Sequence, residues 1–136
     1  MNITVQSHHL AALTACIRPA GRRGRQYLEG LWIDPDRERL IATDGHVLLA
    51  VPMVLHAPPS NADRKFCETH ILPPVRVPRR REPFRVAIEI EPDKKLPVRL
   101  VYPDLDVPAE SFRATPLPTP LPDWTRVAKY ADFAPL

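Results

Sequence analysis

The sequence lacks any apolar run that approaches the roughly 18 residues needed for a membrane-spanning helix. Its first ten residues also lack the basic and apolar regions of a signal peptide. The two cysteines, Cys16 and Cys67, stand far apart and form no CxxC or other metal-ligand spacing. This isolation favours reduced, structural thiols over a disulfide or a metal site. Together these absences predict a cytoplasmic protein without a metal or cofactor.

Acidic side chains are absent from residues 1–28, and a second basic stretch later in the chain is diluted only by Glu82. The arginines are Arg18, Arg22, Arg23 and Arg25 in the first stretch, and Arg76, Arg79, Arg80, Arg81 and Arg85 in the second. Such clusters can bind phosphates. For a run of three arginines, a solvated loop is an equally good interpretation.

Prolines are unusually frequent, at 18 of 136 residues, and they are scattered as single breaks and pairs. Each removes a backbone donor and opposes the interior of a helix, so long helices are excluded over most of the chain. The hydrophobic content of 44% and the charged content of 26% are typical of a globular protein. The length predicts one domain over residues 1–136.

One helix is predicted, over residues 8–18, with Ser7 as its N-cap. Leu10, Leu13 and Ile17 recur there at helical spacing, and Pro19 follows. Residues 54–69 are interpreted as a loop, and residues 116–136 as an extended, proline-rich segment packed on the domain. Strands are predicted over residues 2–6, 27–33, 40–43, 46–53, 84–90, 96–102 and 107–114, and residues 71–77 are interpreted as an extended, proline-interrupted segment.

The turns between these strands indicate antiparallel pairing. Asp44-Gly45 lies between two apolar runs, which is a strong hairpin signal, and Asp34-Pro35-Asp36 has the composition of a type I turn. The predicted fold class is therefore α+β, with antiparallel sheets and one clear helix.

Three segments occur in an order that is more specific than any one of them alone. They are Tyr27-Leu-Glu-Gly-Leu-Trp, then Leu40-Ile-Ala-Thr-Asp-Gly-His-Val-Leu-Leu-Ala, and finally Leu121-Pro-Asp-Trp-Thr-Arg-Val. They resemble segments of the middle domain of the bacterial DNA polymerase III beta subunit, the sliding clamp. The resemblance spans the whole chain and implies a DNA-clamp-like domain. The family's second helix, expected after Ile71, is lost or cut to a turn, because four prolines occupy residues 73–83.

The resemblance also implies half of a peptide-binding cleft, with an exposed apolar floor and a polar rim. Ordinary core packing is the alternative for its apolar members, and Val47 stands where the family has a rim arginine. The implied cleft residues are Arg25, Leu28, Thr43, Gly45, His46, Leu48, Pro122, Arg126 and Val127.

A DNA-facing surface is implied as well, formed by the first helix and the basic stretches. No base-reading motif accompanies it, so binding independent of sequence is expected. The implied DNA contacts are Arg18, Arg22, Arg23, Arg25, Arg79, Arg80 and Arg81.

Catalysis is not expected, because His46 and Asp44 have no accompanying nucleophile or metal-ligand pattern. Two non-catalytic functions remain open. The first is a non-catalytic DNA replication accessory or processivity factor that assembles around DNA as a homo-oligomer. The second is a monomeric or dimeric adaptor or decoy that binds clamp-binding peptides of a polymerase or clamp loader. A single clamp domain would suit a phage or mobile element.

Overall fold

The computed structural model of the chain describes residues 1–17 and 26–127, which form ten strands, two α-helices of nine or ten residues and two helical turns. The helical elements are α1 (Ser7–Cys16), a 3-10 turn (Gln26–Glu29), α2 (Asn61–Thr69) and α3 (Trp124–Val127). The strands are β1 (Asn2–Gln6), β2 (Trp32–Asp34), β3 (Arg39–Thr43), β4 (Leu48–Pro52), β5 (Val54–Leu55), β6 (His70–Ile71), β7 (Arg85–Ile90), β8 (Val98–Val101), β9 (Glu110–Phe112) and β10 (Thr115–Pro116).

The described strands form three antiparallel sheets. The largest has the order β5-β1-β7-β8-β9, and the others are β2-β3-β4 and β10-β6. In the largest sheet, β1 pairs with β7 and so joins the two halves of the chain, with Val5 opposite Val86 and Gln6 opposite Arg85. The mixed α+β composition with antiparallel sheets is as predicted.

The main core lies between the five-stranded sheet, α1 and one face of β3 and β4. Alternate residues of β7, Val86, Ile88 and Ile90, are fully buried, as the period-two pattern predicts. From α1, Leu10 and Leu13 join the same cluster. The opposite face of β2-β3-β4 carries a second, smaller cluster. It contains Trp32, Ile41, Leu48, Ala50, Ile71 and Trp124.

The first helix is observed over Ser7–Cys16, close to the predicted residues 8–18, but the prediction of its N-cap is wrong. Gln6 is the N-cap and makes no side-chain capping bond. The Ser7 hydroxyl instead accepts a hydrogen bond from the Phe84 backbone N–H at 3.0 Å. The serine therefore joins the helix to a distant segment instead of capping it.

The prediction of a loop over residues 54–69 is wrong, because α2 occupies much of it. Ser60 and Asp63 form a reciprocal capping box at the start of α2, and Phe66 and Cys67 are its buried residues. The capping-box spacing was the sequence signal for this helix. Pro58 and Pro59 precede the helix, and it ends at Thr69, where His70 takes an extended conformation and begins β6.

No helix is present between Ile71 and Phe84 within the part of the chain that the structure describes, as the prolines predict. The segment from residue 73 to residue 84 contains neither helix nor strand, and Val75 and Phe84 are buried in it. No described helix is long and apolar enough to cross a membrane.

Gly30 provides the first test of this packing. A Cβ atom at Gly30 would lie 2.2 Å from the Leu72 carbonyl oxygen, which accepts a hydrogen bond from the Leu31 N–H at 2.8 Å. Because the obstacle is backbone, we expect Gly30→Ala to lower the free energy of unfolding by about 2–4 kcal/mol in urea denaturation. Ala109→Ser, which adds one atom at an exposed position, should leave it unchanged. Equal stability of both variants would contradict this geometry.

The pair Arg85–Asp104 provides a test by pH. Three nitrogens of Arg85 donate to the Asp104 carboxylate, at distances from 2.6 to 3.2 Å. These hydrogen bonds lower the pKa of Asp104 from 3.8 to about 2. The stabilisation is therefore present above about pH 4 and is lost as the pH falls towards 2.

We expect Asp104→Asn to flatten the loss of stability between about pH 4 and about pH 2. Urea denaturation at a series of pH values measures this slope. Asp93→Asn, at an exposed carboxylate in the turn after β7, should keep the wild-type slope. If Asp104→Asn loses stability with falling pH as steeply as the wild type does, the Arg85–Asp104 pair does not contribute to the pH dependence of stability.

Candidate functional site

Asp44 organises the loop between β3 and β4, the predicted hairpin. Its Oδ1 accepts hydrogen bonds from the backbone N–H groups of His46 at 2.8 Å and Val47 at 2.9 Å. The Thr43 hydroxyl donates to the Val47 carbonyl at 2.7 Å and accepts from the Gly45 N–H. Gly45 has a φ of 94°, which a residue with a side chain rarely adopts. The Asp-Gly pair therefore has a clear structural role in the turn.

The expectation that Leu28 and Leu48 form an exposed apolar floor is wrong. They are only 6% and 9% exposed. Leu48 belongs to the second cluster together with Trp124, whose segment covers that face of the sheet. The apolar surface predicted to receive a peptide is thus covered by the chain itself.

The proline-rich C-terminal segment is held to the body by directional bonds as well as by apolar contact. The Trp124 indole N–H donates to Asp34 Oδ2 at 2.8 Å, from 90 residues away. The backbone N–H groups of Leu117 and Leu121 donate to the carbonyls of Thr69 and Glu68. Residues 128–136 lie outside the described part.

The other residues of the expected cleft differ in their exposure. Gly45 and His46 are exposed at the hairpin tip, and Pro122 and Arg126 are exposed on the C-terminal segment. Thr43 is buried beneath the hairpin loop. Arg25 and the side chain of Val127 lie outside the described part of the structure.

A cleft of about 280 Å³ lies beside Trp124, between β2, α2 and the C-terminal segment. Its charges are largely paired with each other: Arg37 bonds to Asp34 at 3.0 Å and Arg64 to Asp36 at 3.3 Å. Cys67 lines it, and burial raises the pKa of this thiol to about 12. A protonated thiol is a poor nucleophile, so this cleft offers no activated cysteine. Among residues 1–17 and 26–127, no cluster of three or more His, Cys, Asp or Glu is arranged to hold a metal.

The second basic stretch runs beside α1 and is anchored at both ends. Near the C-terminus of the helix, the Thr14 hydroxyl donates to the Val75 carbonyl at 2.9 Å. Near its N-terminus, Ser7 and Phe84 exchange two hydrogen bonds, of 2.8 and 3.0 Å. We call residues 75–84 the strap.

The strap is longer than the distance it covers, and the excess bows outward. Ser7 and Thr14 are about two helical turns apart, or roughly 10 Å along the axis. The chain from Val75 to Phe84 would reach about 30 Å if fully extended. The five consecutive residues 79–83 are exposed, and a bend falls at residues 81–82.

The bowed part of the strap carries Arg79, Arg80 and Arg81. The helix to which the strap is anchored contains no Asp, Glu, Lys or Arg. None of the ion pairs within the described residues involves these three arginines. Arg80 donates only to the neighbouring Arg79 carbonyl. The remaining predicted DNA contacts, Arg18, Arg22, Arg23 and Arg25, lie outside the described residues.

Comparison of the chain with protein-family models, with curated proteins and with solved structures found no match. The geometry of the chain itself is therefore the basis for the function proposed below.

The hairpin loop provides a test of the role of Asp44. Asp44→Ala removes the acceptor for two backbone N–H groups in a partly exposed loop, so we expect a loss of about 1–2 kcal/mol in the free energy of unfolding. Asp44→Asn keeps an oxygen acceptor, so its free energy of unfolding should fall by less. Urea denaturation of both variants measures the difference. Equal losses would show that the accepted hydrogen bonds are not what stabilises the loop.

Proposed function

We propose that this chain is a non-catalytic, sliding-clamp-like domain that associates with duplex DNA, independently of sequence, as a replication accessory. The observation that carries the proposal is the bowed strap, with three exposed arginines free of ion pairs beside α1. Arginine side chains of this kind neutralise phosphates and release counterions, which supplies the main driving force for non-specific binding.

The composition of the adjoining helix supports the same proposal. The exposed residues of α1 include His8, Ala11 and Ala15, and the helix carries no acidic side chain that would repel phosphates. Its outward alanines cannot read base edges by hydrogen bonding, so specificity for one sequence is not expected. Glu82 is the one acidic residue of the strap.

A peptide-binding adaptor that engages clamp-binding motifs is the second candidate. The observation that favours it is the exposure of four expected cleft residues, Gly45, His46, Pro122 and Arg126. The burial of Leu28 and Leu48 weakens it, because a bound peptide would need to displace the segment that carries Trp124. The two candidates differ in assembly, since a ring of single domains would need six copies. The size of the free protein on a sizing column distinguishes the two assemblies.

The DNA proposal is tested by replacing Arg79, Arg80 and Arg81 together with alanine. Wild-type affinity is expected in the range of about 10⁻⁴ to 10⁻⁶ M at physiological salt. The triple variant should bind two unrelated duplex sequences equally weakly. If each arginine contacts one phosphate, the plot of log affinity against log salt should be less steep for the triple variant than for the wild type, by up to about 2.7 in the magnitude of the slope. Fluorescence anisotropy at several salt concentrations measures both quantities.

A matched control removes the same number of charges elsewhere, by replacing Arg37, Arg64 and Arg99 with alanine. Each of these side chains is already in an ion pair with a carboxylate, so their loss should change DNA affinity little. Absence of duplex binding by the wild type at low salt would refute the DNA proposal, as would equal loss in both triple variants.

A further inference from the structure

A second basic concavity lies at the other end of the molecule from the strap. The strap leads into the first residue of β7, whereas this groove is built partly by the turn that follows β7. The six residues of β7 span about 20 Å. The groove has a volume of about 410 Å³, within the range of sites that hold small ligands or a few side chains. Its walls include Phe66, His70, Lys94, Lys95, Arg113 and Pro116.

Both walls of this groove are fixed by hydrogen bonds. In the turn between β7 and β8, the Glu91 N–H donates to the Pro97 carbonyl at 2.8 Å. On the opposite wall, β10 pairs with β6, placing Pro116 opposite His70. The His70 ring stacks on Phe66 with centroids 4.3 Å apart and planes 11° from parallel. The groove is therefore a preformed feature of the fold.

The charge of the groove is of one sign. Three cationic side chains line it, and no acidic residue does. Lys94 is paired with Glu91 at 2.9 Å. Lys95 and Arg113 take part in none of the ion pairs within the described residues, and both are exposed. Two cations without partners thus lie beside an aromatic and proline-lined surface.

His70 adds a group that distinguishes possible ligands. His70 Nδ1 lies 3.2 Å from the Phe66 carbonyl oxygen and 2.9 Å from the Thr69 hydroxyl, which donates its own hydrogen to the Lys65 carbonyl. Because a carbonyl oxygen only accepts, these contacts favour the tautomer with the hydrogen on Nδ1. In a neutral ring this leaves Nε2 as an acceptor, with no partner among the described residues. A peptide backbone can donate an N–H to such an acceptor, whereas phosphodiester oxygens only accept.

We propose that this groove binds an acidic peptide segment of a partner protein. Its carboxylates contact Lys95 and Arg113, and an apolar side chain packs against Phe66 and the surrounding prolines. Charge complementarity requires a negatively charged ligand. The apolar walls favour a peptide over a second DNA contact. A groove of this volume accepts a few side chains, while a duplex needs a broader surface such as the strap and α1.

The experiment is a titration of the full ¹⁵N-labelled chain with the synthetic peptide Asp-Glu-Phe-Pro-Asp-Glu. We expect saturable amide shifts at His70, Lys94, Lys95 and Arg113. The neutral peptide Asn-Gln-Phe-Pro-Asn-Gln should bind much more weakly and produce no saturable shifts over the same concentration range. Lys95→Gln with Arg113→Gln should weaken binding about 2- to 30-fold, because two exposed ion pairs with the peptide are lost.

The matched control is Arg37→Gln with Arg64→Gln, which removes two positive charges outside the groove and should bind the acidic peptide as the wild type does. If the groove variant has an altered spectrum before titration, the salt dependence of the wild type provides the second measurement. Raising the salt from about 50 to about 200 mM should weaken peptide binding several-fold.

Four results would overturn the proposal. One is the absence of saturable shifts at the groove, and another is equal binding of the charged and neutral peptides. An affinity unaffected by salt is the third. The fourth is competition by a short DNA duplex that shifts the same groove amides, since this would assign the groove to nucleic acid.

Discussion

The pairing of β1 with β7 is the constraint on which the rest of the molecule depends. It joins strands from the two halves of the chain and ends in the double hydrogen bond between Ser7 and Phe84, 77 residues apart. Closing so long a loop costs entropy, which the alternating buried side chains of both strands offset through hydrophobic burial. Because α1 begins where β1 ends and the strap ends where β7 begins, this pairing also anchors the strap that carries the arginines to the helix. The candidate DNA surface is thus a direct consequence of the register between two strands.

The strand framework was predictable because its signals are local. Residues 84–90 alternate between apolar and other side chains with period two, and the structure buries that alternate set. The Asp-Gly pair predicted the hairpin because few other sequences accommodate the positive φ of Gly45. The absence of a helix over the strap followed from its prolines, since each removes a donor and blocks the preceding turn.

What the sequence did not reveal depends on contacts between distant segments. The helix α2 has only nine residues, most of them polar, and its buried residues are Phe66 and Cys67. So few apolar residues do not establish a helical period, and the capping box of Ser60 and Asp63 is the signal that identifies its start. The burial of Leu48 depends on Trp124, which is held over the sheet by its bond to Asp34. No periodicity encodes that contact, which is why core packing and an exposed floor remained open alternatives for Leu48. The two anchors of the strap, Thr14 and Ser7, are likewise visible only in three dimensions.

The separation of the two basic surfaces has a consequence for how they act together. The strap and the groove lie at opposite ends of β7, about 20 Å apart along the strand. At physiological salt the Debye length is about 8 Å, so the charge of a ligand at one surface is largely screened at the other. A duplex on the strap would therefore repel an acidic segment in the groove only weakly. The β7 strand is also paired on both sides, with β1 and β8, and these pairings oppose a hinge movement between its two ends. Binding at the two surfaces should thus be nearly additive, and the domain would hold a partner close to DNA without either ligand excluding the other.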